Sequence, residues 1–444
     1  MWGFKRYMSF LRRRECIVAW IKKKHTLSYR GLSPVSSKTT KNTNIDPVDK
    51  SRGDSGETDP HKQCRPPPRY DKINIKNHMH KNYLEQLQKL PITLILLISL
   101  ICCIGFIVLY SAANSNLQPW AYKQIINFCI FLPLAIIIAL IDLRIIFRLS
   151  YIFYFCVLAL LVAVELFGST AMGGKRWIDI CIVKLQPSEP IKIAVVLMLA
   201  RYFHSLTIDD LIKFHKVIIP IIGVLIPAFL IIREPDLGTG MIVLIVSAII
   251  FFAAGFRIKY FIMLALAALI SLPIAWNMMY DYQKKRVMVF LDPEHDPLGA
   301  SYNIIQSKIA IGSGSLFGRG LNQGSQSHLD FLPEHQTDFI FATFAEEFGF
   351  IGGMFLLILY FALITISLLI AANCRKIFSK LMVIGITSIL FSHVFINIAM
   401  VMGLLPVVGV PLPFISYGGT MIASMLIGFG LVMNAQVHGH IALN

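Results

Sequence analysis

Residues 91–112 read PITLILLISLICCIGFIVLYSA, with no charged side chain over the whole stretch. A helix rising ~1.5 Å per residue needs about 20 apolar residues to cross the ~30 Å hydrocarbon layer of a bilayer. Outward from this run, further apolar runs recur at 122–142, 149–167, 188–206, 215–232, 237–255, 258–276, 339–370, 379–403 and 416–436. Most are apolar all round rather than along one stripe, as expected of helices that face lipid and each other. The expected fold is an all-α polytopic membrane protein of about ten transmembrane helices. A large extracytoplasmic loop, residues 277–338, separates the seventh and eighth.

Composition agrees. The 444 residues are 56% hydrophobic and 15% charged, and the mean hydropathy is +0.65. Soluble domains are about 45–50% apolar and about 25% charged, so a disordered chain is excluded and an ordinary soluble enzyme fits poorly. The net charge of +16 resembles a nucleic-acid footprint until it is located. Residues 1–90 carry 20 Lys and Arg against 8 Asp and Glu, and the remainder only 21 against 17. No nucleic-acid partner follows. Residues 1–90 read as a basic, largely disordered cytoplasmic extension, because Ser36–Arg69 is too polar to offset its ordering entropy. Three readings of its first residues stay open: a helix lying on anionic lipid, a solvated extension, and a start codon placed upstream of Met79. Of the eight cysteines, none forms a CxxC pair, so they read as buried thiols rather than zinc ligands or disulfides.

The distribution of basic residues orients the chain. Arg144/Arg148, Lys213/Lys216, Arg257/Lys259 and Arg375/Lys376 with Lys380 sit in short loops. A cytoplasmic N-terminus places all four loops on the cytoplasmic side, and an even number of spans returns the short tail 437–444 to it. The membrane domain is thus 91–436. Segments 168–187, 233–236, 277–338 and 404–415 face outward.

Charges in a bilayer are costly and face a cavity or a partner. Glu189 and Lys192, spaced to share a helix face, open the fourth run in QPSEPIK. Asp236 sits in the turn EPDLGT, and Glu346 and Glu347 lie about two turns into the eighth run. Lys175, Arg176 and Trp177 occupy the 168–187 segment. The long loop adds Asp292, Glu294, Asp296, Glu334 and Asp338, with Arg286, Lys308 and Arg319. On this topology all lie at or near the outer edge. Carboxylates beside bases there suit a general base acting on a sugar hydroxyl, or recognition of a phosphate-bearing lipid by Lys and Arg, with or without a divalent ion. They also suit a solvated lid. In GLLPVVGVPLPFISYGGT (403–420), three prolines within eight residues forbid a regular helix, so a broken or re-entrant element is expected.

The blocks GGKRWIDI, QPSEPIKI, PDLGT, FLDPEHDPLGASYNIIQSKIAIGSG, DFLPEHQTDFIFATFAEEFGFIG and GLLPVVGVPLPFISYGGT resemble, in order, the signature blocks of the SEDS family (shape, elongation, division, sporulation). The resemblance spans about 91–436 and is greater to the rod-shape (RodA-like) branch than to the division branch. It implies a peptidoglycan glycosyltransferase of the cytoplasmic (inner) membrane that polymerises lipid II for cell elongation. A class B penicillin-binding protein and other elongation-complex proteins are the implied partners, with membrane lipid as surroundings. It implies Asp296, in DPLG, as the essential residue. Glu189, Lys192, Asp236, Lys175, Arg176, Trp177, Lys308 and Asp338 stand as substrate-binding or site-orienting candidates. Ser301, Pro190 and Gln336 depart from the family pattern, and none touches Asp296.

That chemistry asks for a base near the acceptor hydroxyl and for cationic help to a diphosphate leaving group. Lys and Arg side chains could give that help, as could a divalent cation such as magnesium or manganese. The residues name no metal ligands and no certain cofactor. Buried charges and broken helices also suit a flippase moving a lipid-linked precursor. A carrier, however, places ionisable groups near the midplane between repeats. A non-enzymatic scaffold would not need Asp296, Glu189 and Lys192 together.

Overall fold

The computed structural model describes residues 86–171, 174–180, 183–207, 214–234, 236–278, 281–292, 301–325 and 336–439. The N-terminal extension, except for its last few residues, lies outside the described residues.

Long helices occupy every one of the expected runs. They are α1 Ile92–Ala112, α2 Trp120–Leu140, α3 Leu143–Phe167, α4 Ser188–His204, α5 Phe214–Arg233, α6 Leu237–Ala254 and α7 Ile258–Met278. After two shorter helices, α8 Asp281–Leu291 and α9 Tyr302–Ser313, come α10 Ile340–Asn373, α11 Ile377–Val401 and α12 Gly419–His438. Among the described residues, eight of these, α1, α2, α3, α5, α6, α10, α11 and α12, are long and apolar enough to cross a bilayer. The chain is an integral membrane protein. Its outer helix faces present side chains no aqueous surface would tolerate together, such as Phe155 (63% exposed) and Phe361 (71% exposed).

The interior is built around α4 and α11. Helix α4 packs on α3, α6 and α11, while α12 lies between α2 and α11. Nearly every residue of α4 from Ser188 to Ala200 is buried, Glu189 and Lys192 included. The polarity that makes α4 a poor lipid-facing span thus makes sense at the centre of the bundle. Pro133, Pro220, Pro227 and Pro273 sit inside helices, tolerated because neighbouring elements can re-satisfy the freed carbonyls.

Two features depart from a purely helical reading. The segment expected as a loop at 168–187 forms a small antiparallel sheet, β1 Ser169–Ala171, β2 Gly174–Ile180 and β3 Val183–Leu185, in the order β1-β2-β3. Within the long loop, α9 packs against α10, so part of 277–338 is folded onto the bundle.

Helix α10 runs for 34 residues with a kink at Gly349, where φ is +67°. The chain after α9 enters that kink. In a regular helix, the amides of Phe350 and Ile351 would bond the carbonyls of Glu346 and Glu347. Here those carbonyls accept from Arg319 and Gly320 instead, each at 3.0 Å, while the Phe350 and Ile351 amides donate to Ser315 (2.9 Å) and Leu316 (3.1 Å). These four groups are all paired again, as a site without water demands. The approach is too close for a side chain. A Cβ at Gly318 would lie 2.1 Å from the Glu347 carbonyl oxygen, and one at Gly349 would lie 2.2 Å from the Gly318 nitrogen. Both glycines also hold positive φ.

Gly318→Ala should therefore destabilise the protein by about 1–3 kcal/mol, the usual cost of a strained backbone position. Thermal unfolding in detergent would register it as a lowered midpoint. An unchanged midpoint would contradict this account of the kink.

Candidate active site

Between α11 and α12 the chain runs through residues 402–418 without regular helix, as its prolines require. Four of its carbonyls meet side chains from three helices, α2, α10 and α11. Asn397 Nδ2 donates to the Val410 carbonyl and to the Asp338 carbonyl, each at 2.7 Å. The Tyr360 hydroxyl donates to the Pro413 carbonyl. Gln124 Nε2 donates to the Ser416 carbonyl at 3.0 Å. His393 Nδ1 lies 3.3 Å from the Pro411 carbonyl. Ser416 Oγ donates to the Thr337 carbonyl at 2.6 Å and accepts from the Leu412 amide at 2.7 Å.

At the N-terminal end of α4, Lys192 Nζ lies 2.8 Å from Glu189 Oε1, with the two side chains 2% and 5% exposed. Lys192 Nζ is also 2.7 Å from His393 Nε2. The i, i+3 spacing puts both α4 side chains on one face, as the sequence implied. A small cavity beside them is lined by Glu189, Lys192, Ile193, Ile386, Ile389, Ser424, Met425 and Gly428. A carboxylate at the first turn of a helix also meets the favourable end of the helix dipole.

Other candidates converge on the same broken segment. Asp236 is the N-cap of α6, its carboxylate accepting from the Thr239 amide at 3.2 Å. Two residues on, Gly238 packs so closely that a Cβ there would lie 2.6 Å from Val410 and 2.8 Å from the Val408 carbonyl oxygen. Lys308, exposed on α9, lays its side chain over Gly403, where a Cβ would meet Nζ at 2.7 Å. Asp338 is half-buried just before α10, with Oδ2 3.4 Å from where a Gly409 Cβ would stand. The residues from 403 to 411 are thus touched by Lys308, Asp338, the capped start of α6 and, through His393, by the Glu189–Lys192 pair.

Lys175, Arg176 and Trp177 fall on β2. Lys175 is in register with Thr170 and Trp177, half-buried, with Ser169. Asp296 lies outside the described residues, as do Glu294 and Glu334. Among the described residues no group of three or more His, Cys, Asp or Glu is placed to hold a metal ion. Glu346 accepts from the Ser325 amide (2.9 Å), Ser325 Oγ (3.2 Å) and Ser313 Oγ (3.4 Å), fastening the chain after α9 to α10. The Ser111 hydroxyl donates to Glu347.

Sequence reasoning missed His393, Asn397, Gln124 and Tyr360. The available signal was a polar side chain within an apolar span, with His393 and Asn397 one turn apart on α11.

This arrangement defines a class: a polytopic membrane protein with a buried ion pair and a broken helix meeting at one end of the bundle. A family profile described as cell cycle protein, that of FtsW, RodA and SpoVE, matches residues 91–441, and the chain belongs to that family. It is 46% identical over 289 residues to the peptidoglycan glycosyltransferase MrdB of Escherichia coli strain K12, covering 65% of this chain and 77% of that protein. It is 38% identical over 285 residues to the stage V sporulation protein E of Bacillus subtilis strain 168, covering 64% and 76%. Among solved structures, a chain of a peptidoglycan synthase complex that coordinates polymerization and crosslinking superimposes with a TM-score of 0.68 at 28% identity, covering 79% of this chain and 98% of that one. The rod shape determining protein RodA of Thermus thermophilus gives 0.61 at 26% identity, covering 80% and 98%.

Removing one partner of a buried pair strands the other's charge and costs about 3–5 kcal/mol. Lys192→Met should lower thermal stability on that scale, and Lys192→Met combined with Glu189→Gln should cost less than the sum of the two. Strictly additive losses would contradict a coupled pair.

Proposed function

We propose that this chain is a peptidoglycan glycosyltransferase that polymerises lipid II into glycan strands at the outer face of the cytoplasmic membrane, serving elongation and rod shape. The observation that carries the reading is the joint match, in sequence and in fold, to the MrdB and RodA proteins over nearly the whole membrane domain. Both termini are cytoplasmic on this reading. The basic residues at one end of the bundle support it: Arg201 donates to the Arg148 carbonyl at 2.7 Å and Tyr202 to the Lys216 carbonyl at 2.8 Å, so Arg148, Arg201 and Lys216 of α3, α4 and α5 lie near one another.

Asp296 acts as the general base. The C4 hydroxyl oxygen of the acceptor sugar bonds to the anomeric carbon of the donor, its proton passes to the carboxylate, and the bond to the diphosphate breaks. A single displacement inverts the anomeric centre. Lys308, with Lys175 and Arg176 on β2, is the cationic help for the departing diphosphate. A divalent cation, magnesium or manganese, would supply the same charge compensation. Glu189 and Lys192 orient the site, and Asp236, Asp338 and Trp177 shape the approach of the sugars. The lipid tails of donor and growing strand lie against the apolar helix faces. The partner is a class B penicillin-binding protein that crosslinks the product, within a larger set of elongation proteins. A flippase is not favoured: the buried pair opens a helix at one end of the bundle, and the relative matched at 46% identity is named a peptidoglycan glycosyltransferase.

Asp296→Ala, purified with its partner and melting like the wild type, should abolish lipid II polymerisation. Retained polymer synthesis would overturn the base assignment. Loss of transport with polymerisation intact would favour the flippase.

A further inference from the structure

We propose that His393 is a positioning residue that holds the Lys192 ammonium against Glu189 and ties this pair to the broken segment between α11 and α12. The use made of that geometry rests on the glycosyltransferase reading; the geometry itself does not.

His393 is 1% exposed. Its two ring nitrogens face two groups of opposite demand. Lys192 Nζ, 2.7 Å from Nε2, has three protons and no lone pair, so Nε2 must accept. The ring proton is then on Nδ1, which faces the Pro411 carbonyl at 3.3 Å and donates to it. One neutral tautomer satisfies both neighbours.

Lysine carries its charge on a flexible four-carbon stem and does not set its own direction. Two of the three Lys192 protons are directed here, one by Glu189 Oε1 at 2.8 Å and one by His393. Without the imidazole, the carboxylate on the same helix would be the one group among the described residues left to fix the ammonium. The His393 ring also joins α4 to the segment that approaches Lys308 and Asp338. One turn further on, Asn397 holds the Val410 carbonyl, so α11 grips two successive carbonyls from one face. A shift of the 410–411 backbone therefore moves the imidazole and, through it, Lys192.

The test uses the full chain with its partner synthase and lipid II as substrate. His393→Phe fills the volume but offers neither bond. It should lower kcat at least about tenfold, or about 1.4 kcal/mol of barrier, while KM changes little. His393→Gln presents a carbonyl to Lys192 and an N–H to Pro411, and should recover most of the lost turnover. In thermal unfolding, His393→Phe and Lys192→Met should be non-additive, as for residues in contact. Equal losses in the Phe and Gln variants, an effect confined to KM, or additive shifts in the melting midpoint would overturn the proposal. If His393→Phe does not fold, an inactive but folded His393→Gln overturns it. If the wild type makes no polymer, the glycosyltransferase reading fails, and the thermal cycle alone decides the His393–Lys192 link.

Discussion

A backbone amide or carbonyl inside a membrane protein has no water to turn to, and the structure is organised around that shortage. Two breaks in helical backbone would each strand several polar groups. At Gly349 the freed groups are taken up by the backbone of residues 315–320. Between α11 and α12 the carbonyls of Val410, Pro411, Pro413 and Ser416 are taken up by side chains from α2, α10 and α11. The first break fastens the chain after α9 to α10. The second forms the floor on which the candidate site stands. An unsatisfied buried group costs about 1–3 kcal/mol, so neither break could persist without its partners.

The buried pair on α4 follows the same logic with charge. Desolvating Glu189 and Lys192 is expensive, and their mutual attraction offsets that cost only with good geometry and further hydrogen bonds. His393 supplies one such bond, and its other nitrogen serves the broken segment. Backbone satisfaction and charge pairing are in this way one network. That network explains why the α4 helix is central although its charges make it a poor lipid-facing span.

The fold was legible because the bilayer leaves few choices. Apolar runs became helices within a few residues of their expected ends, and the proline-rich stretch at 403–420 became the break. The small sheet was not legible: β1 and β3 are three residues each, too short to show a period. The kink within α10 was hidden for a related reason. Gly349 sits in an apolar run whose only charged residues are Glu346 and Glu347, and what bends the helix is a loop distant in sequence. At the site, charge at membrane depth pointed to Glu189, Lys192 and Asp236. Spacing paired Glu189 with Lys192 from the sequence, but the capping role of Asp236 was not legible, because it lies in which donor the carboxylate meets. His393 and Asn397 stood out only as polar residues in an apolar span, because the partners that give them a role, Lys192 and the carbonyls of the break, meet them only in the folded chain. Asp296 came through family resemblance, not through physics.

The central claim is that the shape of the 403–418 segment, held by side-chain hydrogen bonds, sets the geometry in which glycan transfer occurs. The most direct test is the lipid II polymerisation rate of Asn397→Ala in the complex with its partner. This change removes the donor to both the Val410 and Asp338 carbonyls while leaving every charged candidate in place. The account predicts that kcat falls by about tenfold or more in a protein that still folds and assembles. Wild-type turnover from a folded Asn397→Ala protein would contradict it.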